Sequence, residues 1–311
     1  MTESLLTMTA ITQLLTSTMR TTAPVLLAAV GGLYSDRSGV LSIGLEGYML
    51  GGAFGGFVGA YYSGNLWIGL LAAMIAGALL ALLYAYFAVT LGVSQAVAGT
   101  GLVMLAAGGT GFLNRVLFRS SGDFVRITPF QPVAIPGLSQ IPVVGQIFFN
   151  QNVLVYLAFL LVPVTWFLLY RTALGLEIRS VGEHAKAADT VGLNVTLTRY
   201  GCVLVSGALA GLGGAYLSLA HANTFIEMMT AERGYMAFAI IIFGKYNPLG
   251  ALGASLLFGF ADAVQLKLQI AGLPIPYEFL LMLPYVLTLV AMVAAGRTVS
   301  PASLGTPYKK Q

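Results

Sequence analysis

Long uncharged hydrophobic runs, separated by short polar segments, occupy most of this sequence. A helix needs about 20 apolar residues to cross a hydrocarbon core of about 30 Å, and most of the runs reach that length. Unbroken apolar runs also favour helices over the alternating strands of a membrane barrel. The pattern therefore predicts about nine transmembrane helices, at residues 11–33, 40–61, 66–90, 95–117, 151–170, 199–220, 234–244, 248–268 and 277–295.

Two of these runs do not fit a simple span. The first contains Arg20, so an amphipathic entry followed by a short span from Thr21 to Tyr34 fits the pattern equally well. The seventh, at 234–244, is too short to cross the bilayer alone, which indicates a broken or half helix. Both assignments stay open at the level of the sequence.

Composition places the chain in the membrane. Hydrophobic residues make up 58% of its 311 residues and charged residues only 8%, whereas soluble domains carry roughly 25% charged residues. The runs leave no room for a separate soluble domain, so we expect residues 1–311 to form a single all-α, polytopic membrane bundle. The excess of basic residues is expected to report orientation rather than a nucleic-acid partner.

Orientation follows from counting basic residues. Placing the loop 171–199 in the cytoplasm puts nine Lys and Arg residues inside and five outside, with Arg20 undecided. The positive-inside rule favours this arrangement over its reverse. The segment 118–150 then becomes an extracytoplasmic loop, and its four prolines forbid a continuous helix there.

Residues 171–199 form a charged island, with seven charged side chains between two apolar runs. Within it, Ser180 and Glu183 have the spacing of a capping box, and Gly192 can end the helix that would follow. Ala185 and Ala188 lie on one side of that helix and would let it pack closely against a partner. The alternative is a solvated connector between spans.

Two motifs resemble a known family. The island contains G-L-x-x-R-x-V-G-E-x-x-x-A-A-x-x-x-G-L-N-V at residues 175–195, and the N-terminal part contains G-G-L-Y-S-D-R-S-G-V at 31–40 and I-G-L-E-G at 43–47. These motifs resemble ABC importer permeases for simple sugars, nucleosides and branched-chain amino acids, and especially the shorter permease of purine-nucleoside importers. The resemblance makes the island the ATPase-coupling loop, through Ser180, Gly182, Glu183, Ala187, Ala188 and Gly192.

The resemblance also implies partners: a second, homologous permease subunit, ABC ATPase subunits and an extracytoplasmic substrate-binding protein, assembled in the bilayer. No Walker A motif occurs in the chain, since Gly244-Lys245 lacks both the earlier glycine and the following Ser or Thr. We therefore expect no cofactor on this chain and ATP with Mg²⁺ on the ATPase. No metal-ligand spacing and no catalytic constellation is evident either.

Three polar residues in or near predicted spans are candidates for a solute pathway, because buried polar groups in membranes are costly. They are Glu46, Gln95 and Asn114. Each has a plainer alternative: a hydrogen bond at a helix kink for Glu46, a helix start for Gln95, and an interfacial position for Asn114. The glycines at 47, 51, 55 and 59 are interpreted as a packing ladder.

These features predict a permease subunit that is not itself an enzyme and that imports a small polar solute across a bacterial plasma membrane. The resemblance alone makes purine nucleosides the first expectation and simple sugars the second. A secondary transporter or channel without an ATPase is the alternative from another class. A membrane-embedded enzyme is disfavoured because no catalytic group of residues can be assembled.

Overall fold

The computed structural model describes residues 8–118, 125–141, 143–270 and 299–308, with isolated positions at 278–280, 282, 286 and 290. Most of the described residues are helical. The helices are α1 (Met8–Arg37), α2 (Leu45–Ser63), α3 (Leu66–Ala85), α4 (Gln95–Phe118), α5 (Val144–Phe148), α6 (Val153–Arg171), α7 (Ala173–Glu183), α8 (Ala185–Thr190), α9 (Val195–Ala215), α10 (Arg233–Phe243) and α11 (Pro248–Ile270). Wider π-helical turns extend α3 through Tyr86–Thr90 and α9 through Tyr216–His221.

Short polar signals fix where several helices begin and end. Asn65 and Asn152 precede α3 and α6, and their side chains accept hydrogen bonds from Trp67 N and Leu154 N. Asn194 caps α9 in the same way. Gly64 ends α2 with φ +66°, a left-handed conformation that glycine adopts without steric cost. The loops between spans are therefore encoded locally.

The centre of the bundle is α1, which packs against α9, α11, α10 and α6. Its residues 22–33 are buried almost completely. The helix runs unbroken for 30 residues through Pro24 and contains Arg20, so it covers both the longer first run and the short span from Thr21 to Tyr34. Arg20 is accommodated because its Nε donates to Gln151 Oε1 at 3.0 Å.

Glycines bring α2, α3 and α9 into direct backbone contact. A Cβ added at Gly214 of α9 would lie 1.8 Å from the carbonyl oxygen of Met49, and one at Gly77 of α3 would lie 2.2 Å from that of Gly207. In the predicted ladder, Gly51, Gly55 and Gly59 face Leu80, Ala76 and Ala72 of α3. The packing interpretation of the ladder is confirmed.

The outer faces of the long helices are apolar. On α3, Leu71, Ile75 and Leu79 are each about 60% exposed, which is the pattern of a surface that faces lipid. Among the described residues, five helices are long and apolar enough to cross a membrane: Leu66–Thr90, Gln95–Phe118, Val153–Arg171, Val195–His221 and Pro248–Ile270.

The predicted number of spans is confirmed only in part. Besides those five helices, α1, α2 and α10 lie at the first, second and seventh predicted runs. The short α10 has 11 residues, which agrees with a helix that cannot cross alone. The ninth run, 277–295, lies largely outside the described residues.

The predicted loop at 118–150 is compact where the structure describes it. Val133–Ala134 pairs antiparallel with Asn150–Gln151, and α5 lies between these strands. The loop is attached to the bundle because Ile127 N donates to Asn223 O and Asn152 Nδ2 donates to Phe130 O. The loop lies at one end of the bundle and the charged island at the other. The end that carries the island is called the island end.

Candidate coupling surface and solute pathway

The charged island folds as two short helices, α7 and α8, separated at His184. The predicted capping box is wrong, because Ser180 lies inside α7 and its hydroxyl donates to Glu177 O at 2.8 Å. The cap of α7 is Thr172, whose Oγ1 accepts from Gly175 N at 3.2 Å. The helix begins earlier than predicted because the chain turns directly from α6 into α7. Glu183 is consequently its last residue.

The end of the island agrees with the prediction at Gly192. This glycine has φ +90°, and the chain closes the turn after α8 through a hydrogen bond from Leu193 N to Ala188 O. A left-handed residue after the last turn is a common helix terminator. Gly192 therefore ends α8, although α8 is only six residues long.

The small-residue face of α8 is covered by the chain itself. Ala185 and Ala188 are only 7% and 4% exposed, and they pack in a cluster with Val181, Val195 and Tyr308. The expectation placed a partner against this face, whereas in the structure residues from α7, α9 and the C-terminal segment pack against it. A cavity remains open beside Ala185. The face of α8 that remains exposed carries Lys186, Ala187 and Thr190.

The exposed surface of the island is partly apolar. Leu174, Leu176, Val191 and Leu197 are between 62% and 76% exposed. They lie on or beside α7 and α8, in the most highly charged segment of the chain. Apolar side chains on an otherwise polar surface mark contact sites for other proteins. Among the predicted coupling residues, Glu183, Ala187 and Gly192 are exposed here, whereas Gly182 and Ala188 are buried and Ser180 is half-buried.

A C-terminal strap, residues 299–308, joins the island to the connector between α1 and α2. Ser303 N donates to Gly182 O at 2.9 Å, and Gly305 N donates to Gly39 O at 3.1 Å. Glu183 contributes as well, since its Oε2 accepts from Ala302 N at 3.3 Å. No sequence pattern indicated these contacts, because the strap is irregular and lies more than 100 residues from the island.

Gly182 is buried for a geometric reason. A Cβ at this position would lie 2.0 Å from the carbonyl oxygen of Arg37, so α7 lies directly on the backbone at the end of α1. Arg37 in turn donates from Nε to Tyr246 O at 2.8 Å, just after α10. The island is thus in contact with α1 and, through Arg37, with the end of α10.

Arg199 was predicted only as one of the inside charges, yet it is the largest fully buried side chain among the described residues. Its Nε donates to Ser38 O at 3.3 Å and its Nη1 donates to Thr306 O at 3.2 Å. The guanidinium group therefore links the connector and the strap from the start of α9. Its position at the head of an apolar run was the one available signal.

Glu46 lies in the first turn of α2 and is 2% exposed. Its Oε1 accepts from the Thr230 hydroxyl and from Glu232 N, and its Oε2 accepts from Gly234 N at 2.6 Å. The carboxylate thereby satisfies backbone donors at the start of α10, a role that side-chain caps normally fill from within a helix. The hydrogen-bonding alternative for Glu46 describes this geometry.

The chain on both sides of α10 adopts unusual backbone conformations. Ala231 and Glu232 precede the helix with φ +45° and +62°, and Lys245 and Tyr246 follow it with φ +55° and +53°. Residues other than glycine rarely adopt these angles. Such strained backbone conformations concentrate at functional sites, where the surrounding structure holds them in place. The short helix is therefore held in place by long-range contacts, among them those of Glu46.

The other two pathway candidates lie at opposite ends of α4. Gln95 is buried at its start, and its Oε1 accepts from Leu41 N at 2.8 Å, while its Nε2 has no partner among the described residues. Asn114 is half-buried 19 positions later, about 28 Å along the helix. Glu46 lies between these levels, since Gly47 contacts Leu102 and Val103 in the middle of α4. The three residues mark different depths along one helix and do not form one cluster.

Comparison with known proteins assigns the chain to a family. Residues 14–293 match the profile described as "Branched-chain amino acid transport system / permease component". The chain belongs to this family of ABC transporter permeases. It is therefore a multi-pass integral membrane protein and a transport component, and it is not itself an enzyme.

Individual relatives agree over nearly the whole chain. The guanosine ABC transporter permease NupQ of Bacillus subtilis is 41% identical over 93% of this chain and 93% of its own length. The nucleoside ABC transporter permease NupC of Lactococcus lactis is 37% identical, over 92% and 93% respectively. TsgC13 of Haloferax volcanii, provisionally named a glucose ABC transporter permease, is 38% identical over 82% and 78%.

Proposed function

We propose that this permease is one subunit of an ATP-driven importer of purine nucleosides in a bacterial plasma membrane, with the charged island in the cytoplasm. The observation that carries the proposal is the similarity to a guanosine permease, at 41% identity along almost the full length of both chains. A nucleoside permease of a second organism, 37% identical over a similar length, supports the same substrate class.

The ATPase subunits dock on the exposed surface of the island. The supporting feature is the group of exposed apolar side chains in the island, which includes Val191 after α8 and the exposed Ala187 within it. Closure of the ATPases on ATP would displace α7 and α8 together. ATP and Mg²⁺ belong to the ATPase in this scheme, and the permease binds neither.

Displacement of the island reaches the solute pathway through the bundle. Gly182 lies against Arg37 at the end of α1, and Arg37 is hydrogen-bonded to Tyr246 after α10. A shift of α7 would therefore move the end of α1 and the end of α10 together. Glu46 holds the other end of α10 to α2. We therefore assign α10 as the element whose tilt opens and closes the pathway.

A second, homologous permease packs beside α4, and an extracytoplasmic binding protein delivers the solute at the end opposite the island. One face of α4 supports the pairing: Met104 is 77% exposed, and neither Gly101 nor Gly108 has a described neighbour within 4 Å of its added Cβ. Exposed glycines on a membrane helix permit close approach of another helix. The pathway candidates Gln95 and Asn114 lie on this same helix, near the boundary between the two subunits.

The experiment that tests the substrate is uptake into proteoliposomes that contain the permease pair, its ATPase and its binding protein. We expect accumulation of radiolabelled guanosine that requires ATP, that unlabelled purine nucleosides compete away, and that glucose does not. A relative provisionally named a glucose permease, at 38% identity, makes glucose the necessary competitor. Uptake of glucose in place of guanosine would contradict the nucleoside assignment.

The same preparation separates an ATP-driven importer from a secondary transporter. Replacing the ATPase with a hydrolysis-deficient variant is expected to abolish uptake while leaving the assembled complex intact on size-exclusion chromatography. Solute accumulation that continues without hydrolysis, driven by an imposed ion gradient, would contradict the ATP-driven mechanism.

A further inference from the structure

A cavity of ≈ 460 Å³ lies at the island end, between α8 and the C-terminal strap. One wall comes from the beginning of α8, one from the strap, and the base from α9. Its lining residues are His184, Ala185, Lys186, Ala187, Arg199, Ser303, Thr306, Pro307 and Tyr308.

The cavity has a one-sided charge. Its lining includes a lysine, an arginine and a histidine, and no carboxylate. Two acidic residues of the same segment have partners of their own: Glu183 Oε2 accepts from Ala302 N, and Asp189 interacts with the Tyr308 hydroxyl. Desolvation, and secondarily the hydrogen bond with the Asp189 carboxylate, raise the pKa of Tyr308. The lining therefore favours an anionic group.

Arg199 makes this preference stronger. Its side chain is 1% exposed, and its hydrogen-bond acceptors are two backbone carbonyls, Ser38 O and Thr306 O. Its Nη2 has no partner among the described residues. No described carboxylate forms an ion pair with this guanidinium group. A buried cation that lacks a carboxylate is poorly compensated, and a negative charge brought close to it would be stabilised.

The surroundings of the cavity indicate that the negative charge comes from another protein. Lys186 and Ala187 belong both to the cavity lining and to the exposed face of α8. Val191, at the end of the same helix, is 76% exposed. A protein that covers this apolar surface would bring its own side chains to the mouth of the cavity.

We propose that the cavity receives an acidic side chain of the ATPase, and that Lys186 at its rim pairs with that carboxylate. This inference rests on the proposed function, because it takes the ATPase as the protein that docks on the island. It adds a chemical specification: the docking surface of the ATPase presents an Asp or Glu beside the patch that covers Val191.

Zero-length cross-linking of the assembled transporter tests the contact directly. A carbodiimide activates a carboxylate, and a lysine amine in contact with it then forms an amide with net loss of water. We expect mass spectrometry to find Lys186 joined to an acidic peptide of the ATPase. Lys245 is the matched control, since it is exposed at the island end but outside the cavity, and it should not give that product.

Charge variants test whether the contact contributes to assembly. Lys186→Glu places like charges together and is expected to lower retention of the ATPase about tenfold, whereas Lys186→Arg should retain it. Lys245→Glu changes the net charge equally and should leave retention unchanged. Retention by the unmodified permease should fall as salt rises, and Lys186→Glu should reduce this dependence.

Several outcomes would overturn the inference. One is an ATPase that co-purifies with Lys186→Glu as well as with the unmodified permease. A second is an equal loss of ATPase retention in Lys186→Glu and Lys245→Glu. Another is a free anion as occupant: inorganic phosphate that binds the permease without ATPase and protects Lys186 from amine acetylation, while added ATPase gives no protection. If the unmodified permease retains no ATPase at all, the proposed function fails instead.

Discussion

The side chain of Glu46 in α2 accepts a 2.6 Å hydrogen bond from the backbone N–H of Gly234, which lies 188 residues further along the chain in the first turn of α10. The two backbones are in close contact, since a Cβ at Gly234 would lie 2.3 Å from Glu46 Cα. A short helix that cannot cross the membrane is thus fixed at its start by a carboxylate from another helix. The geometry makes α10 and the first turn of α2 one mechanical unit.

Replacing this carboxylate by an amide should loosen α10. In Glu46→Gln, one oxygen becomes an NH₂ group, which cannot accept from a backbone donor. We expect a loss of about 1–3 kcal/mol for a buried donor left unsatisfied, seen as a lower midpoint of thermal denaturation in detergent. Transport should fall more than assembly with the ATPase does.

The control for Glu46 is Glu227→Gln. Glu227 is an exposed carboxylate that pairs with Arg115 at 3.3 Å, and both side chains are about half exposed or more. Exposed pairs contribute little to stability. The midpoint of this variant should match that of the unmodified permease, and an equal fall in both variants would mean that the cap of α10 is not the cause.

Hydrophobic patterning predicted most helices correctly but not the contacts that tolerate polar residues inside them. Arg20 left open an amphipathic entry followed by a short span, whereas α1 is one continuous helix in which Arg20 donates to Gln151 across 131 positions. Such a partner cannot be identified from a local pattern. The glycine ladder was predictable because a four-residue period has a direct meaning on one helix face.

The island shows the same limit at smaller scale. Thr172 and Ser180 both fit the preferences of a helix cap, and the choice depends on α6 ending at Arg171 and turning at once into α7. The alanine face was correctly found, but Val195 and Tyr308 of the same chain pack against it where the sequence pattern suggested a partner. Periodicity shows which residues share a face and does not show what covers that face.

Gly182→Ala should separate the island from the bundle. Its new Cβ would lie 2.0 Å from Arg37 O, a backbone atom that cannot move aside without shifting α1. We expect a destabilisation of about 1–3 kcal/mol from overpacking. In reconstituted transporter, ATP hydrolysis should also become less dependent on the presence of solute, measured as the ratio of stimulated to basal rates.

Gly201→Ala is the matched control for that substitution. Gly201 is exposed in α9, and nothing among the described residues lies within 4 Å of its added Cβ. Alanine inside a helix is favoured over glycine by about 0.5–1 kcal/mol, so this variant should be as stable as the unmodified permease or slightly more stable. Equal destabilisation by both variants would contradict the role assigned to the contact with Arg37.

Bulky substitutions at two adjacent alanines should have different effects. Ala187 is exposed on α8, whereas Ala188 is 4% exposed against Val181 and Val195. Ala187→Trp should leave the melting midpoint of the permease unchanged and prevent retention of the ATPase. Ala188→Trp should lower the midpoint as well, because the ring cannot fit in the cluster. Normal ATPase retention by folded Ala187→Trp would contradict docking on the exposed face.

Arg199→Lys should release the C-terminal strap while conserving the charge. The guanidinium group donates to Ser38 O and Thr306 O at the same time, from two different nitrogens. The single ammonium group of lysine does not reproduce this geometry. The amides of Ser303 and Gly305, which donate to Gly182 O and Gly39 O, report directly on the strap. We expect their hydrogen exchange to become faster by about tenfold or more, equivalent to losing about 1.5 kcal/mol of local protection.

A second arginine variant shows whether the effect is specific to Arg199. Arg179→Lys alters an arginine of the same island whose guanidinium carbon lies 5.0 Å from the centre of the Tyr170 ring and whose Nε donates to Gly175 O within α7, away from the strap. Exchange at Ser303 and Gly305 should therefore stay at its original rate in this variant. If the two variants accelerate exchange equally, the strap is responding to a general loosening of the island. If only Arg199→Lys does so, a single buried guanidinium group holds the strap to the connector between α1 and α2.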